Sequence, residues 1–314
     1  MAKGISVHVG INQPDPSFDV NPLFGCENDA VEMSKIAAAN GFEVIPPLLG
    51  DQAKFENVEA AILDAASRLV TGDIFLFTFA GHGDVSSTTF SPEEQDSQDE
   101  AILLHDCILI DNYLRRKLWS EFKKDVRILG IADSCHSGTV LTSIPPDDAA
   151  DPIPMLTGSG AVAAVSVAQA TVPRRDPALT DPPLVAQRVP AIGKCDRAYS
   201  EADRERILEK MNPELLEKLK GKPEPTPPLE AILLTLAACS DFQLARDGAE
   251  HGVFTQALID VWDNGGFNGP DANYRNFIKQ IRDKVVPISP QQIPILRPIS
   301  VDPNFVKQRP FTIG

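Results

Sequence analysis

The sequence predicts an α/β protein built on an open, mostly parallel sheet with helices on both faces. Three short runs of apolar, β-branched or aromatic residues support this: 5–11, 73–79 and 126–132. Such runs are typical of strands that are buried on both faces. Segments with helical spacing of apolar residues separate them, and the alternation of strands and helices favours a parallel sheet.

The remaining elements follow from spacing and from helix or strand breakers. A helix is expected from Glu27 to the Asn40-Gly41 stop signal, and a short strand lies before Pro46-Pro47. The other expected elements are a helix over 58–69, a helix-like stretch over 112–122, a strand over 229–238 and helices over 254–262 and 274–286.

A change in composition divides the chain into three parts. Residues 142–228 are rich in proline and charge and poor in aromatic residues, which indicates a linker or insertion. A helical pattern at 201–220 interrupts this segment. Residues 1–141 and 229–314 are therefore expected to form two parts of one domain.

Charge and cysteine content narrow the function classes. The 314 residues carry 29 Lys and Arg against 44 Asp and Glu, a net charge of −15 that repels nucleic-acid phosphates. Five cysteines without disulfide-scaffold spacing favour a reducing compartment. The chain lacks the pattern of a signal peptide or an apolar run of about 18 residues, so the expectation is a cytoplasmic protein outside the membrane.

Two predicted strands lead directly into reactive side chains. The first continues into Ala80-Gly81-His82-Gly83, and the second continues into Asp133-Ser134-Cys135. Reactive groups in open α/β sheets collect beyond the carboxyl ends of the strands, so we expect His82 and Cys135 to meet there. A thiolate can attack an amide carbonyl while an imidazole protonates the leaving amine. The backbone N–H groups of Gly83 and Cys135 are candidates for holding the developing oxyanion.

These motifs resemble the metacaspases, and most closely the bacterial orthocaspases. The resemblance rests on AGHG at 80–83 and DSCHSG at 133–138, and extends to GCENDA at 25–30, DEAI at 99–102, ACSDFQL at 238–244 and GVFT at 252–255. It implies a caspase-hemoglobinase-like fold and a cysteine endopeptidase. Residues 1–141 would correspond to the large subunit of caspases and 229–314 to the small subunit.

The resemblance also implies cleavage after Arg or Lys, in protein or peptide substrates. The residues that match the basic-specificity pocket are Asp29 and Asp133, and Asp241 borders it on the resemblance alone. Two carboxylates would pair with a guanidinium or an ammonium group and repel an aspartate. Asp29 has a second interpretation, as an acidic residue that stabilises the first turn of a helix.

Three further expectations come from the family. Ala80 replaces a family serine, so a hydroxyl near His82 is missing. The sequence itself requires no cofactor; the resemblance raises calcium activation as a hypothesis, with Asp96, Asp99 and Glu100 near the DEAI segment as candidate ligands that lack the regular spacing of a calcium loop. The resemblance also favours a monomer.

Self-cleavage in the linker is a separate prediction, because exposed chain is where nicking concentrates. Its candidate sites are the basic residues Arg174, Arg175, Arg188, Lys194 and Arg197.

Two other classes of protein remain as alternatives. A zinc site would use Cys135, His136, His82 and Cys107, but their spacing lacks a CxxC or HxxxH pair. A catalytically silent, caspase-shaped interaction module is the second alternative. The other cysteines, Cys26, Cys107 and Cys239, are expected to be core thiols, and His105 and His251 to be surface or loop histidines.

Overall fold

A computed structural model describes residues 1–86, 99–135, 141, 196–220, 228–240, 243–299 and 302–314. These described residues group into one compact unit. The strands are β1 (Gly4–Gly10), β2 (Glu43–Val44), β3 (Leu48–Leu49), β4 (Ile74–Ala80), β5 (Gly83–Ser86), β6 (Asp99–Leu103), β7 (Ile108–Ile110), β8 (Arg127–Asp133), β9 (Ile232–Ala237) and β10 (Ile295–Pro298). The α-helices are α1 (Cys26–Ala39), α2 (Phe55–Arg68), α3 (Asp111–Tyr113), α4 (Glu201–Lys210), α5 (Pro213–Lys220), α6 (Val253–Trp262), α7 (Tyr274–Val285) and α8 (Pro303–Lys307).

The main sheet confirms the predicted fold class. Its order is β10-β9-β8-β4-β1-β2, and β3 also pairs with β1. All these pairings are parallel except that of β10 with β9. A second, antiparallel sheet of β5, β6 and β7, which the sequence reading did not predict, follows the carboxyl end of β4.

Both faces of the main sheet are buried, as the apolar runs predicted. In β4, Phe75, Phe77 and Phe79 belong to the core on one face, whereas Ile74 and Leu76 belong to the core on the other. Helix α2 packs within the first core, and α6 and α7 within the second. Within the described ranges, no helix has the length and apolar character needed to span a bilayer.

Two segments differ from the expected elements. The helix-like stretch at 112–122 is a succession of short turns: α3, a π-helical turn at Leu114–Leu118 and a 3-10 turn at Trp119–Glu121. Its Trp119 is fully buried against Phe75 and Phe77. The helical pattern predicted at 201–220 is confirmed as α4 and α5, but residues 196–220, which composition placed in the linker, belong to the compact unit.

Candidate active site

His82 lies at the carboxyl edge of the sheet, two residues beyond β4. In the β4–β8 register Ala80 pairs with Asp133, so Cys135 occupies the equivalent place after β8. The ring of His82 is buried, and its Nε2 is 2.8 Å from the carbonyl oxygen of Asn21. A carbonyl can only accept, so Nε2 carries the hydrogen and Nδ1 carries the lone pair. Burial lowers the pKa of His82, against opposing effects of the backbone at Asn21 and Ala198. The imidazole is therefore neutral and can accept a proton.

Cys135 is fully buried beside the loop that follows β9. Its Sγ accepts a hydrogen bond from the backbone N–H of Ala245 at 3.1 Å. Burial raises the pKa of the Cys135 thiol well above its usual range, and the neighbouring Cys239 adds to this effect. In this state the thiol keeps its proton and donates to the carbonyl of Ala245 at 3.5 Å, so Cys135 and His82 are both neutral.

Two backbone N–H groups converge on one carbonyl oxygen next to this pair. The carbonyl of Arg197 accepts from the N–H of Gly83 at 2.9 Å and from that of Cys135 at 3.3 Å. A Cβ at position 83 would lie 2.3 Å from the carbonyl oxygen of Cys135, so the close approach requires glycine. The next residue, Ala198, forms an isolated parallel bridge with Gly83. The Arg197–Ala198 peptide bond therefore lies at the two residues predicted to hold an oxyanion.

The chain that precedes this bond is held in the manner of an added strand. Asp196 forms an antiparallel bridge with Arg246. The N–H of Arg197 donates to the carbonyl of Ala245 at 2.9 Å. Such main-chain pairing is a common way for a protein to bind an extended peptide.

The side chain of Arg197 fills a pocket of three carboxylates and is 0% exposed. Its Nη2 lies 2.6 Å from Asp29 and 2.9 Å from Asp247, and its Nη1 lies 3.1 Å from a carboxylate oxygen of Asp133. Nη1 also donates to the carbonyl of Asp133 at 2.8 Å. Burial disfavours the guanidinium charge, but the carboxylates outweigh this and raise the pKa of Arg197. The pocket thus matches a planar, multivalent cation.

Asp133 is fixed by the first turn of α6. Its Oδ2 accepts from the N–H of Thr255 at 3.0 Å and from the hydroxyl of Thr255 at 2.6 Å. Burial raises the pKa of Asp133 to about 6, while Arg197 and the hydrogen bonds from Thr255 oppose the rise. A Cβ at position 252 would lie 2.4 Å from Asp133 Oδ2 and 2.5 Å from Arg197 Nη2. Gly252 therefore leaves room for the cation.

The other two carboxylates are also held by several donors. Asp29, in the first turn of α1, accepts from the N–H of Gly252 at 3.2 Å, and its Oδ1 lies 2.9 Å from Nδ1 of His251. The hydrogen bond with Asp29 raises the pKa of His251, although partial burial opposes the rise. Asp247 accepts from the backbone N–H groups of residues 24–25 at 2.6 and 3.3 Å. Each of the three carboxylates is thus held by donors other than Arg197.

The structure brings together some predicted residues and adds others. Asp29 and Asp133 share one pocket, and Arg197 lies in it, whereas Asp241 and the other four candidate self-cleavage sites lie outside the described residues. Sequence reasoning missed Asp247 and the roles of Thr255 and His251. The GVFT motif contained Thr255 but gave it no role, and nothing in the sequence distinguished Asp247 from other acidic residues.

The metal expectations concern residues that are only partly described. Asp96, His136 and the side chain of Asp99 lie outside the described ranges, and Glu100 is buried on β6. Among the residues that the structure does describe, no three His, Cys, Asp or Glu side chains are grouped to hold a metal ion. Calcium activation stays a prediction.

Taken together, these features define the class of protein. A histidine and a cysteine follow adjacent parallel strands of an α/β sheet, which is the caspase-like arrangement. Residues 3–306 match the family model described as the caspase domain, and the chain belongs to that family of cysteine peptidases.

Its relatives include metacaspases of fungi and plants. It is 25% identical over 289 residues to metacaspase-1 of Candida albicans, covering 84% of this chain and 58% of the relative. It is 33% identical over 149 residues to metacaspase-9 of Arabidopsis thaliana, covering 44% of this chain and 45% of the relative. The chain thus spans about half the length of these curated relatives. A crystal structure of a Geobacter sulfurreducens protein is 31% identical with a TM-score of 0.71, over 99% of both chains.

Proposed function

We propose that this protein is a cysteine endopeptidase that cleaves after arginine, and less efficiently after lysine, and that its first substrate is its own Arg197–Ala198 bond. The observation that carries the proposal is the double placement of Arg197. Its carbonyl accepts from Gly83 and Cys135, while its side chain fills the pocket of three carboxylates.

The chemistry follows from the two neutral groups. Nδ1 of His82 takes the thiol proton of Cys135 as Sγ bonds to the carbonyl carbon of Arg197, and the oxyanion is held by two N–H groups. The C–N bond to Ala198 then breaks, and His82 returns the proton to the departing amine. Water, deprotonated by His82, hydrolyses the thioester to a carboxylate at Arg197 and a free thiol.

The pocket supports arginine over lysine. The guanidinium uses Nε, Nη1 and Nη2 to contact the carboxylates of Asp29, Asp133 and Asp247 at once. An ammonium is a single point charge and cannot reproduce this set of contacts. An aspartate side chain at the same place would be repelled by three carboxylates.

The presence of Arg197 in the pocket also controls access of other substrates. While Arg197 is buried in it, another arginine or lysine side chain cannot enter. The intact chain is thus blocked towards other substrates until the Arg197–Ala198 bond is cut and the segment before it leaves.

Self-cleavage is the test. Wild-type protein, Cys135→Ala and Arg197→Ala are incubated over a 100-fold range of concentration, with chelator or with millimolar calcium, and their masses are measured. We expect wild-type fragments that end at Arg197 and start at Ala198, formed at a rate independent of concentration, and no such fragments from either variant. Cys107→Ala, which alters a buried thiol elsewhere in the core, serves as the control and should be cut normally.

A second measurement tests specificity with matched fluorogenic peptides that end in Arg, Lys or Asp. Arg peptides should be cleaved fastest by processed enzyme. Cleavage after Asp would contradict the pocket assignment. Absence of any cleavage, with intact wild-type protein in both calcium conditions, would favour the silent interaction module.

A further inference from the structure

His251 contacts the pocket of three carboxylates at Asp29, on the oxygen that does not face Arg197. Nδ1 of His251 lies 2.9 Å from Oδ1 of Asp29, and the other oxygen, Oδ2, lies 2.6 Å from Nη2 of Arg197. The backbone N–H of Gly252 lies 3.2 Å from both oxygens, so His251 supplies the side-chain donor that distinguishes Oδ1 from Oδ2 and orients the Asp29 carboxylate. The side chain of His251 is 19% exposed, so it joins the buried pocket to the surface.

The orientation of Asp29 matters because one guanidinium nitrogen serves two acids. Nη2 of Arg197 contacts Asp29 at 2.6 Å and Asp247 at 2.9 Å. A planar guanidinium can make both contacts only if the two carboxylates hold fixed positions. An ammonium can turn its three donors towards whichever oxygen is nearest, so it depends less on the rotation of Asp29.

Charge gives a second reason for a donor at this place. Three buried carboxylates surround one guanidinium, and when a substrate leaves they face one another without it. Like charges at short range repel strongly in a buried site. A donor on Oδ1 of Asp29 counters this repulsion and keeps the carboxylate in place for the next substrate.

We propose that His251 is a positioning residue that orients Asp29 and thereby makes the pocket select arginine over lysine. This inference rests on the proposed function, since it concerns the same pocket. It predicts that a neutral N–H donor at position 251 is sufficient, because the required contact is a hydrogen bond to Oδ1.

The test compares His251→Ala with His251→Asn. Asparagine places an N–H donor at about the distance of Nδ1 from the backbone, whereas alanine removes it. With processed enzyme we expect His251→Ala to raise KM for an Arg peptide about tenfold and for a Lys peptide about twofold, with kcat changed less than threefold. His251→Asn should restore most of the Arg preference. His105→Ala, which removes a half-buried imidazole from another loop, is the matched control and should leave both KM values unchanged.

A binding measurement separates this inference from the proposed catalysis. Arg197→Ala, or Arg197→Gln if the first variant does not fold, removes the guanidinium from the pocket. Calorimetry can then follow binding of Nα-acetyl-arginine amide and Nα-acetyl-lysine amide, whose side chains keep their charge. Adding His251→Ala should weaken the arginine ligand about tenfold and the lysine ligand much less. Equal weakening of both ligands, no weakening, or failure of His251→Asn to restore arginine binding would overturn the role of His251. Loss of peptidase activity in the wild type would instead overturn the proposed function and leave this binding result to stand.

Discussion

The proposed reactive residues and the proposed specificity pocket lie side by side but are built in different ways. His82 and Cys135 follow two adjacent parallel strands, and each is placed by the few residues around it. The pocket collects Asp29, Asp133 and Asp247 from three distant parts of the chain. The pair is neutral and buried, whereas the pocket is charged and heavily hydrogen-bonded. Reactivity is thus locally encoded, and specificity depends on the assembled fold.

The largest expected effect breaks the reactive pair. His82→Ala removes the base that takes the Cys135 proton, and because burial raises the pKa of that thiol, little thiolate forms without it. We expect self-cleavage at Arg197 to slow about 10³-fold, within the usual range for general acid–base catalysis. The rate is measured by quantifying intact chain over time.

His105→Ala is the matched control, since it removes a half-buried imidazole from another loop. It should change the self-cleavage rate by no more than about twofold. A His82→Ala protein that still cut itself at near the wild-type rate would show that another group activates Cys135.

A smaller effect is expected when one carboxylate of the pocket loses its charge. Asp247→Asn keeps the size of the side chain but removes the ion pair with Nη2 and Nε of Arg197. Hydrogen bonds between charged partners are stronger than neutral ones, and a buried ion pair that loses one partner is costly. We expect KM for an Arg peptide to rise about 100-fold, with a much smaller change in kcat.

The split between KM and kcat is the informative readout. A fall in kcat that equals the rise in KM would mean that Asp247 also shapes the reactive pair, and the contrast between the two regions would fail. Asp260→Asn, which alters an exposed carboxylate of α6, is a suitable control because its partner is the exposed Lys284.

The same contrast explains what the sequence could predict. Strands β1, β4 and β8 were predicted because continuous apolar runs need no knowledge of their neighbours, and the motifs after β4 and β8 placed His82 and Cys135. The second sheet was missed because β5 and β7 are short. Asp247 was missed because its role comes from its contact with Arg197, which is 50 residues away in the chain. Arg197 was one of five basic candidates, and its contacts with Gly83, Cys135 and the three carboxylates come from the folded chain rather than from the local sequence.

The smallest predicted effect is a change of KM with pH, which depends on the protonation of Asp133 in the pocket. Burial raises the pKa of Asp133 to about 6, and the neighbouring guanidinium of Arg197 opposes the rise, so the pKa should be higher when the pocket is empty. Protonated Asp133 is neutral and loses its ion pair with the substrate cation. KM for an Arg peptide should therefore rise several-fold as pH falls from the higher pKa of the empty pocket towards about 6, the pKa with a guanidinium in place.

Thr255→Val sharpens this prediction. The hydroxyl of Thr255 donates to Oδ2 of Asp133 and favours the ionised form, so its removal should raise the pKa of Asp133 further. The KM profile should then shift to higher pH, while the backbone N–H of residue 255 still donates. Burial lowers the pKa of His82, and protonation of His82 acts on kcat, so KM and kcat are followed separately. A Thr255→Val profile that superimposes on that of the wild type would show that another group controls binding of the arginine side chain, since the hydroxyl contact is the one interaction with Asp133 that this substitution removes.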